Sequence, residues 1–68
     1  GFETYLDLLA AWRPRAIAAL PDEPARLRFW QQATDGRVQR LVQAADEEAA
    51  EHLLEELLEA ERTACATL

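Results

Sequence analysis

Residues 46–61 read DEEAAEHLLEELLEAE, and this stretch decides the fold class. Its leucines come as two adjacent pairs four positions apart, which is the spacing of one apolar face of an α-helix. Asp46 can cap the N-terminus of such a helix, and Glu47 and Glu48 complement the positive end of its dipole. The stretch therefore predicts an amphipathic helix, and its leucine stripe consists of Leu53, Leu54, Leu57 and Leu58.

The segment before this stretch is also periodic, but it has a different apolar face. The residues of that face are Val38, Leu41, Val42 and Ala45. On one straight helix the two faces would point about 130° apart, at 100° per residue. A break between Ala45 and Asp46 removes this conflict and predicts two helices. The alternative is one long helix over residues 37–63 with two binding faces, and the sequence leaves both open.

The N-terminal part predicts a first helix from about Glu3 to Trp12. Pro14 then intervenes, so either the helix kinks there or a second short helix begins with this proline in its first turn. Apolar residues at helical spacing continue on both sides of the proline and predict one face on a shared core. The residues of this face are Phe2, Leu6, Leu9, Ile17 and Leu20.

Two further breaks divide the rest of the chain. Residues 21–24, PDEP, predict an interruption with Asp22 as the N-cap of a helix that runs to about Thr34. Asp35 and Gly36 then form a turn, in which Gly36 is free to take the left-handed conformation. The chain is thus predicted to be all-α. We expect a single domain over residues 1–68, or a fragment of a longer protein, built as a small bundle of four to five short helices.

Composition bears on how such a small chain is stabilised. The 68 residues are 50% hydrophobic and 29% charged, which is typical of a globular protein. Cys65 is the only cysteine, so no disulfide can form within one chain. A core of this size is thin and often needs an additional device, and self-association or docking on a partner is what remains. The lone cysteine, the absence of a membrane-length apolar run and the lack of a visible signal peptide favour a cytoplasmic location.

The charge of the chain is unevenly distributed. The net charge is −6, with +1 in residues 1–40 and −7 in residues 41–68. The acidic half disfavours nucleic acid and anionic membranes as partners. The turn at Asp35 nevertheless permits a helix-turn-helix reading, in which Arg37, Gln39, Arg40 and Gln43 would face a DNA groove. A regulator of transcription, binding DNA or a DNA-binding protein, is therefore the first alternative function.

An enzyme is the second alternative, and its sequence support is thin. His52 has Glu48 and Glu56 one helical turn away on either side, which suggests a metal site only if several chains assemble. Helical bundle sites use a Glu-x-x-His spacing, and Ala49 stands where that glutamate would be. The chain has no serine and two glycines, so neither a serine nucleophile nor a phosphate-binding loop is available. We predict no catalytic residue, metal site or cofactor.

The leucine stripe is the strongest functional signal. Burying four leucines contributes about 6–12 kcal/mol, so the stripe must pack on the chain's own helices, on a partner, or on both. Glu61 falls within the apolar side of the same helix, where a charge needs a partner or an exit to water. Two hypotheses are a pairing with Arg13, within one chain or between chains, and a fraying of the last turns that releases Glu61 to solvent.

Together these features predict a small acidic protein–protein interaction module, an adaptor, regulator or accessory subunit that also forms homo-oligomers. The leucine stripe would dock on the partner together with an aromatic side chain. Phe29 and Trp30 are adjacent, so they cannot both face inward on one helix, and one of them is a candidate anchor. The predicted partner-binding residues are Phe29, Trp30, Leu53, Leu54, Leu57, Leu58 and Glu61.

Overall fold

A computed structural model describes residues 4–66, and all of its regular structure in this range is α-helical. The four helices, in chain order, are α1 (Tyr5–Ala19), α2 (Glu23–Ala33), α3 (Arg37–Gln43) and α4 (Glu47–Ala66). This confirms the predicted all-α bundle. No helix within residues 4–66 is long and apolar enough to cross a membrane.

Helices α1, α2 and α4 begin where short polar side chains cap them. The Ala25 amide donates to the Asp22 carboxylate at 3.3 Å, which confirms Asp22 as the predicted N-cap of α2. The Asp7 amide likewise donates to the Thr4 hydroxyl at the start of α1. Gly36 has a φ of 111°, so the predicted left-handed residue between α2 and α3 is also confirmed.

A Schellman motif separates α3 from α4. Ala45 takes a φ of 60°, its amide donates to the Val42 carbonyl, and the Asp46 amide donates to the Leu41 carbonyl at 2.9 Å. The Asp46 carboxylate then accepts from the Ala49 amide at 3.2 Å and caps α4. The predicted break is therefore confirmed, and the alternative of one long helix is wrong. The break turns both apolar faces towards one core.

That core lies around α4, which packs against the other three helices. Each of α1, α2 and α4 contributes buried alanines, which let neighbouring backbones approach closely. The residues with at most 1% exposure are Leu8, Trp12, Ala16, Leu20, Ala25, Phe29, Ala33, Val38, Ala50 and Leu54. The bundle is elongated, with principal extents of 37 × 17 × 17 Å.

Helix α1 corrects two predictions about the first part of the chain. It continues through Pro14 to Ala19, so the predicted end near Trp12 and the second short helix are both wrong. Pro14 and Ala10 are both exposed, and the Ala10 carbonyl that loses its helical hydrogen bond to the proline can therefore be hydrated. The predicted start at Glu3 and the predicted core residue Phe2 lie outside the described residues.

The predicted inner face of α1 is also wrong. Leu8, Trp12 and Ala16 point into the core, whereas Leu6 and Ile17 are 72% and 55% exposed. The prediction chose the wrong side because α1 carries apolar residues on two sides. The side that faces the core is the one with the large Trp12 indole. Leu20, which follows the helix, is buried as predicted.

Candidate interaction surface

The leucine stripe packs mainly on the protein's own helices. Leu54 is fully buried, Leu57 and Leu58 are nearly so, and Leu53 is half-buried. Within a single chain, Leu53 therefore keeps the most surface of the four for contact with another molecule. The stripe forms the central wall of the core, against which α2 and α3 are held.

The two adjacent aromatic residues of α2 point in different directions. Phe29 is fully buried, and Trp30 is half-buried at the surface. Their rings meet edge to face, with centroids 4.8 Å apart and an angle of 66° between the planes. The buried Phe29 ring thus packs against the inner side of Trp30, and Trp30 is the member of the pair with surface exposed for contact with a partner.

Glu61 is buried, with 8% of its surface exposed, and it joins α4 to α2. The Arg28 Nε donates to Glu61 Oε2 at 3.2 Å, and the Gln32 Nε2 approaches Glu61 Oε1 at 3.4 Å. The release of Glu61 by fraying and its pairing with Arg13 of the same chain are therefore wrong. The last turns of α4 remain helical, and the charge is satisfied by two α2 residues that lie one turn apart.

An apolar groove between α1 and α2 was missed by the sequence reasoning. Its volume is about 540 Å³, and its lining residues are Arg13, Ile17, Glu23, Pro24, Arg26, Leu27 and Trp30. Leu27 is 59% exposed, although leucine is usually buried. The sequence contained one signal for this groove, namely the second apolar side of α1. This signal does not predict a groove unless the part of α2 that lies beside α1 is known.

The groove belongs to a larger apolar surface, which we call the outer face. It consists of the groove together with Leu6, which lies on the same side of α1 as Ile17. These two residues are eleven positions apart, or about three helical turns, so they project within roughly 20° of each other. The outer face thus extends along α1, and it carries the large hydrophobic side chains that are most exposed within residues 4–66, namely Leu6, Ile17 and Leu27.

The three charged residues that line the groove differ in whether they already have partners within the chain. Arg26 Nη1 donates to the carbonyls of Leu20 and Pro21, at 2.8 and 2.9 Å, and so fixes the connection between α1 and α2. Arg13 and Glu23 form no ion pair or side-chain hydrogen bond with any residue between 4 and 66. The groove therefore offers one positive and one negative group that are free to meet an outside partner.

Other charged side chains link helices or stabilise a turn. Arg15 stacks on the Trp12 ring, 3.7 Å from its centroid, and lies 3.6 Å from the Glu55 carboxylate on α4. The backbone amide of Arg37, and then its guanidinium, keep the pKa of Asp35 below its ordinary value. Burial, followed by the nearby Asp35 carboxylate, raises the pKa of Tyr5.

The residues of the two alternative functions lie on α4 for the metal site and on α3 for DNA reading. His52 lies beside Asp46 and Glu48 in a shallow depression. Within residues 4–66, no group of three or more His, Cys, Asp or Glu side chains is placed to hold a metal ion. The candidate DNA-reading residues of α3 are exposed, and one of them, Arg37, pairs with Asp35 at 2.9 Å.

Within residues 4–66 the chain is a four-helix bundle with an exposed apolar face, and such a face is typical of a small helical association domain. Comparison with known families agrees with this class: the model of the sirohaem synthase dimerisation region matches residues 5–58, from the start of α1 to the leucine stripe. The chain belongs to this family and is a helical dimerisation module. Searches of curated proteins and of solved structures gave no match. The predicted interaction module is thereby confirmed as a dimerisation module, and the role of the family agrees with the predicted self-association.

Proposed function

We propose that this chain forms a homodimer through the outer face, with α1 and α2 of one copy packed on α1 and α2 of the second. The observation that carries the proposal is the exposure of Leu6, Ile17 and Leu27 on one surface of a family whose role is dimerisation. Fully burying one such side chain contributes about 1.5–3 kcal/mol, so covering this surface supplies a substantial driving force.

The predicted partner-binding residues divide between two roles in this proposal. Trp30 lines the groove and contacts the second copy directly. Phe29, the leucine stripe and Glu61 act from beneath, because they hold α2 against α4 and so set the shape of the outer face. Aromatic anchors with rigid support are typical of residues that dominate binding energy.

The size of the molecule also favours both helices as the interface. A stable interface covers about 800 Å² on each partner. That is roughly one sixth of the 4536 Å² surface of this chain. Three apolar side chains cannot supply this area alone, so the contact must include the groove walls on α1 and α2.

We assign no catalysis to this chain by itself. The glutamates of α4, apart from Glu61, lie at least partly in solvent, whereas general acid–base chemistry needs a carboxyl group held in a cleft beside its substrate. Metal analysis of protein purified without chelator tests this assignment, and a stoichiometric bound ion that is lost in His52→Ala would overturn it.

Light scattering over a wide concentration range tests the homodimer. The wild type should give the mass of two chains, and Leu27→Asp or Ile17→Asp should weaken association by at least about tenfold, because each places a charge in the apolar contact. Ala60→Asp is the matched control, since it places the same charge on an exposed position of α4.

Circular dichroism of every variant ensures that the bundle is intact. A folded wild type that stays monomeric throughout would contradict dimerisation. If both Leu27→Asp and Ile17→Asp dimerise with wild-type affinity, the dimer interface lies on another surface.

A further inference from the structure

We infer that Arg13 and Glu23 are exchanged across the twofold axis of the homodimer, so that Arg13 of each copy pairs with Glu23 of the other. This inference rests on the proposed function and adds the orientation in which the two copies meet. Two ion pairs, equivalent by symmetry, would then flank the apolar centre formed by Ile17, Leu27 and Trp30.

The first argument is the cost of covering an unpaired charge. Arg13 and Glu23 line the groove, and neither is ion-paired within residues 4–66. Closing an interface over them without partners would remove water from two charges and leave both uncompensated, which is strongly unfavourable. The third charged residue, Arg26, cannot serve as a partner, because its guanidinium already binds two backbone carbonyls.

The second argument is symmetry. In a dimer with a twofold axis, a contact from one residue to a second is always accompanied by the reverse contact. Arg13 stands on the α1 wall of the groove, and Glu23 is the first residue of α2 on the opposite wall. A surface with one charge of each sign around an apolar centre is therefore complementary to a copy of itself.

The third argument is the exclusion of other orientations. An approach that brings the two Arg13 side chains together, or the two Glu23 side chains, places like charges in contact and is penalised. The exchanged arrangement avoids both contacts, so it selects one orientation from those that the apolar surface alone would allow.

Charge reversal tests this pairing with native mass spectrometry and sedimentation. Arg13→Glu alone and Glu23→Arg alone each create two like-charge contacts per dimer, and each should weaken its homodimer by about tenfold or more. An equimolar mixture of the two variants should form a heterodimer within about threefold of the wild-type affinity, because both pairs regain opposite signs.

Arg62→Glu and Glu59→Arg are the matched controls. They carry the same reversals on α4, in an exposed pair that does not line the groove. Each control should dimerise as the wild type does. Should a reversal variant fail to fold, Arg13→Gln, Glu23→Gln and their combination form a double-mutant cycle, and perfect additivity of the three affinities would overturn the pairing.

The outcomes separate this inference from the function on which it rests. If the wild type dimerises but the mixture of reversal variants stays dissociated, the pairing is wrong and the homodimer stands. Wild-type affinity in either single reversal has the same meaning. A wild type that is folded and monomeric at all concentrations overturns the homodimer, and the pairing with it.

Discussion

Glu61 places a carboxylate on the apolar side of α4, where it would be costly without partners. Its two oxygens instead receive the Arg28 and Gln32 side chains of α2. Arg28 remains about half-exposed, so it could be hydrated if its partner were removed. This contact acts as a link between two helices rather than as a deeply buried ion pair.

Replacing this carboxylate measures the strength of the link. Glu61→Ala should lower the free energy of unfolding by about 1–2 kcal/mol, because two hydrogen bonds to a charged group are lost. Urea unfolding followed by circular dichroism gives the value. Glu59→Ala is the control on the same helix: its exposed pair with Arg62 should contribute about 0.5 kcal/mol or less. Equal losses in the two variants would contradict the role given to Glu61.

At the scale of the helices, the sharpest feature is the Schellman motif between α3 and α4. Its left-handed position is occupied by Ala45, although glycine is the usual residue there. A left-handed alanine costs about 1–2 kcal/mol. This strain is offset because the turn brings Val38 of α3 and Leu54 of α4 into the same core.

Glycine at this position should relieve the strain. Ala45→Gly is expected to raise the free energy of unfolding by about 0.5–1 kcal/mol, after allowance for the greater freedom of glycine in the unfolded chain. The same change one residue earlier, Ala44→Gly, should be destabilising, since Ala44 has an ordinary φ of −82°. Denaturation midpoints of both variants provide the comparison, and the same sign of change in both would refute this account.

The helix boundaries could be predicted because their signals are local. Asp22, Gly36 and Asp46 each mark a cap or turn through their own side chain or backbone freedom, and the structure uses all three there. Pro14 was misleading, because an exposed proline within a helix costs less than the packing of the turns on either side of it provides.

The interaction surface was harder to predict because it depends on pairs of helices. Helix α1 is apolar on two sides, and only the position of the other helices decides that Trp12 faces inward and Ile17 outward. The partners of Glu61 could not be predicted for the same reason. Arg28 is 33 positions away in the sequence, and its contact with Glu61 requires that α2 and α4 be neighbours. The spacing of apolar residues identifies the apolar faces of a helix, but it does not show which neighbouring helix each face contacts.

At the scale of the whole molecule, association and stability should be coupled. Only the folded chain presents the outer face, so dimerisation draws the equilibrium towards the folded state. The wild-type Tm should therefore rise by about 3–5 °C for each tenfold increase in protein concentration. Differential scanning calorimetry across concentrations measures this slope. In Leu27→Asp the rise should begin at protein concentrations about tenfold or more higher, because its dimer is weaker, and a rise that begins at the wild-type concentration would count against the outer face.

The contrast between the two tryptophans has a practical consequence for anyone who studies this protein by its intrinsic emission. Trp12 is enclosed beneath the Arg15 guanidinium, whereas Trp30 lies half in solvent at the groove. Dilution that separates the two copies should shift only the Trp30 component to the red, and denaturant should later shift that of Trp12. The variants Trp30→Phe and Trp12→Phe give the emission of each tryptophan separately. With these references, one fluorescence emission spectrum would distinguish a dissociated chain from an unfolded one.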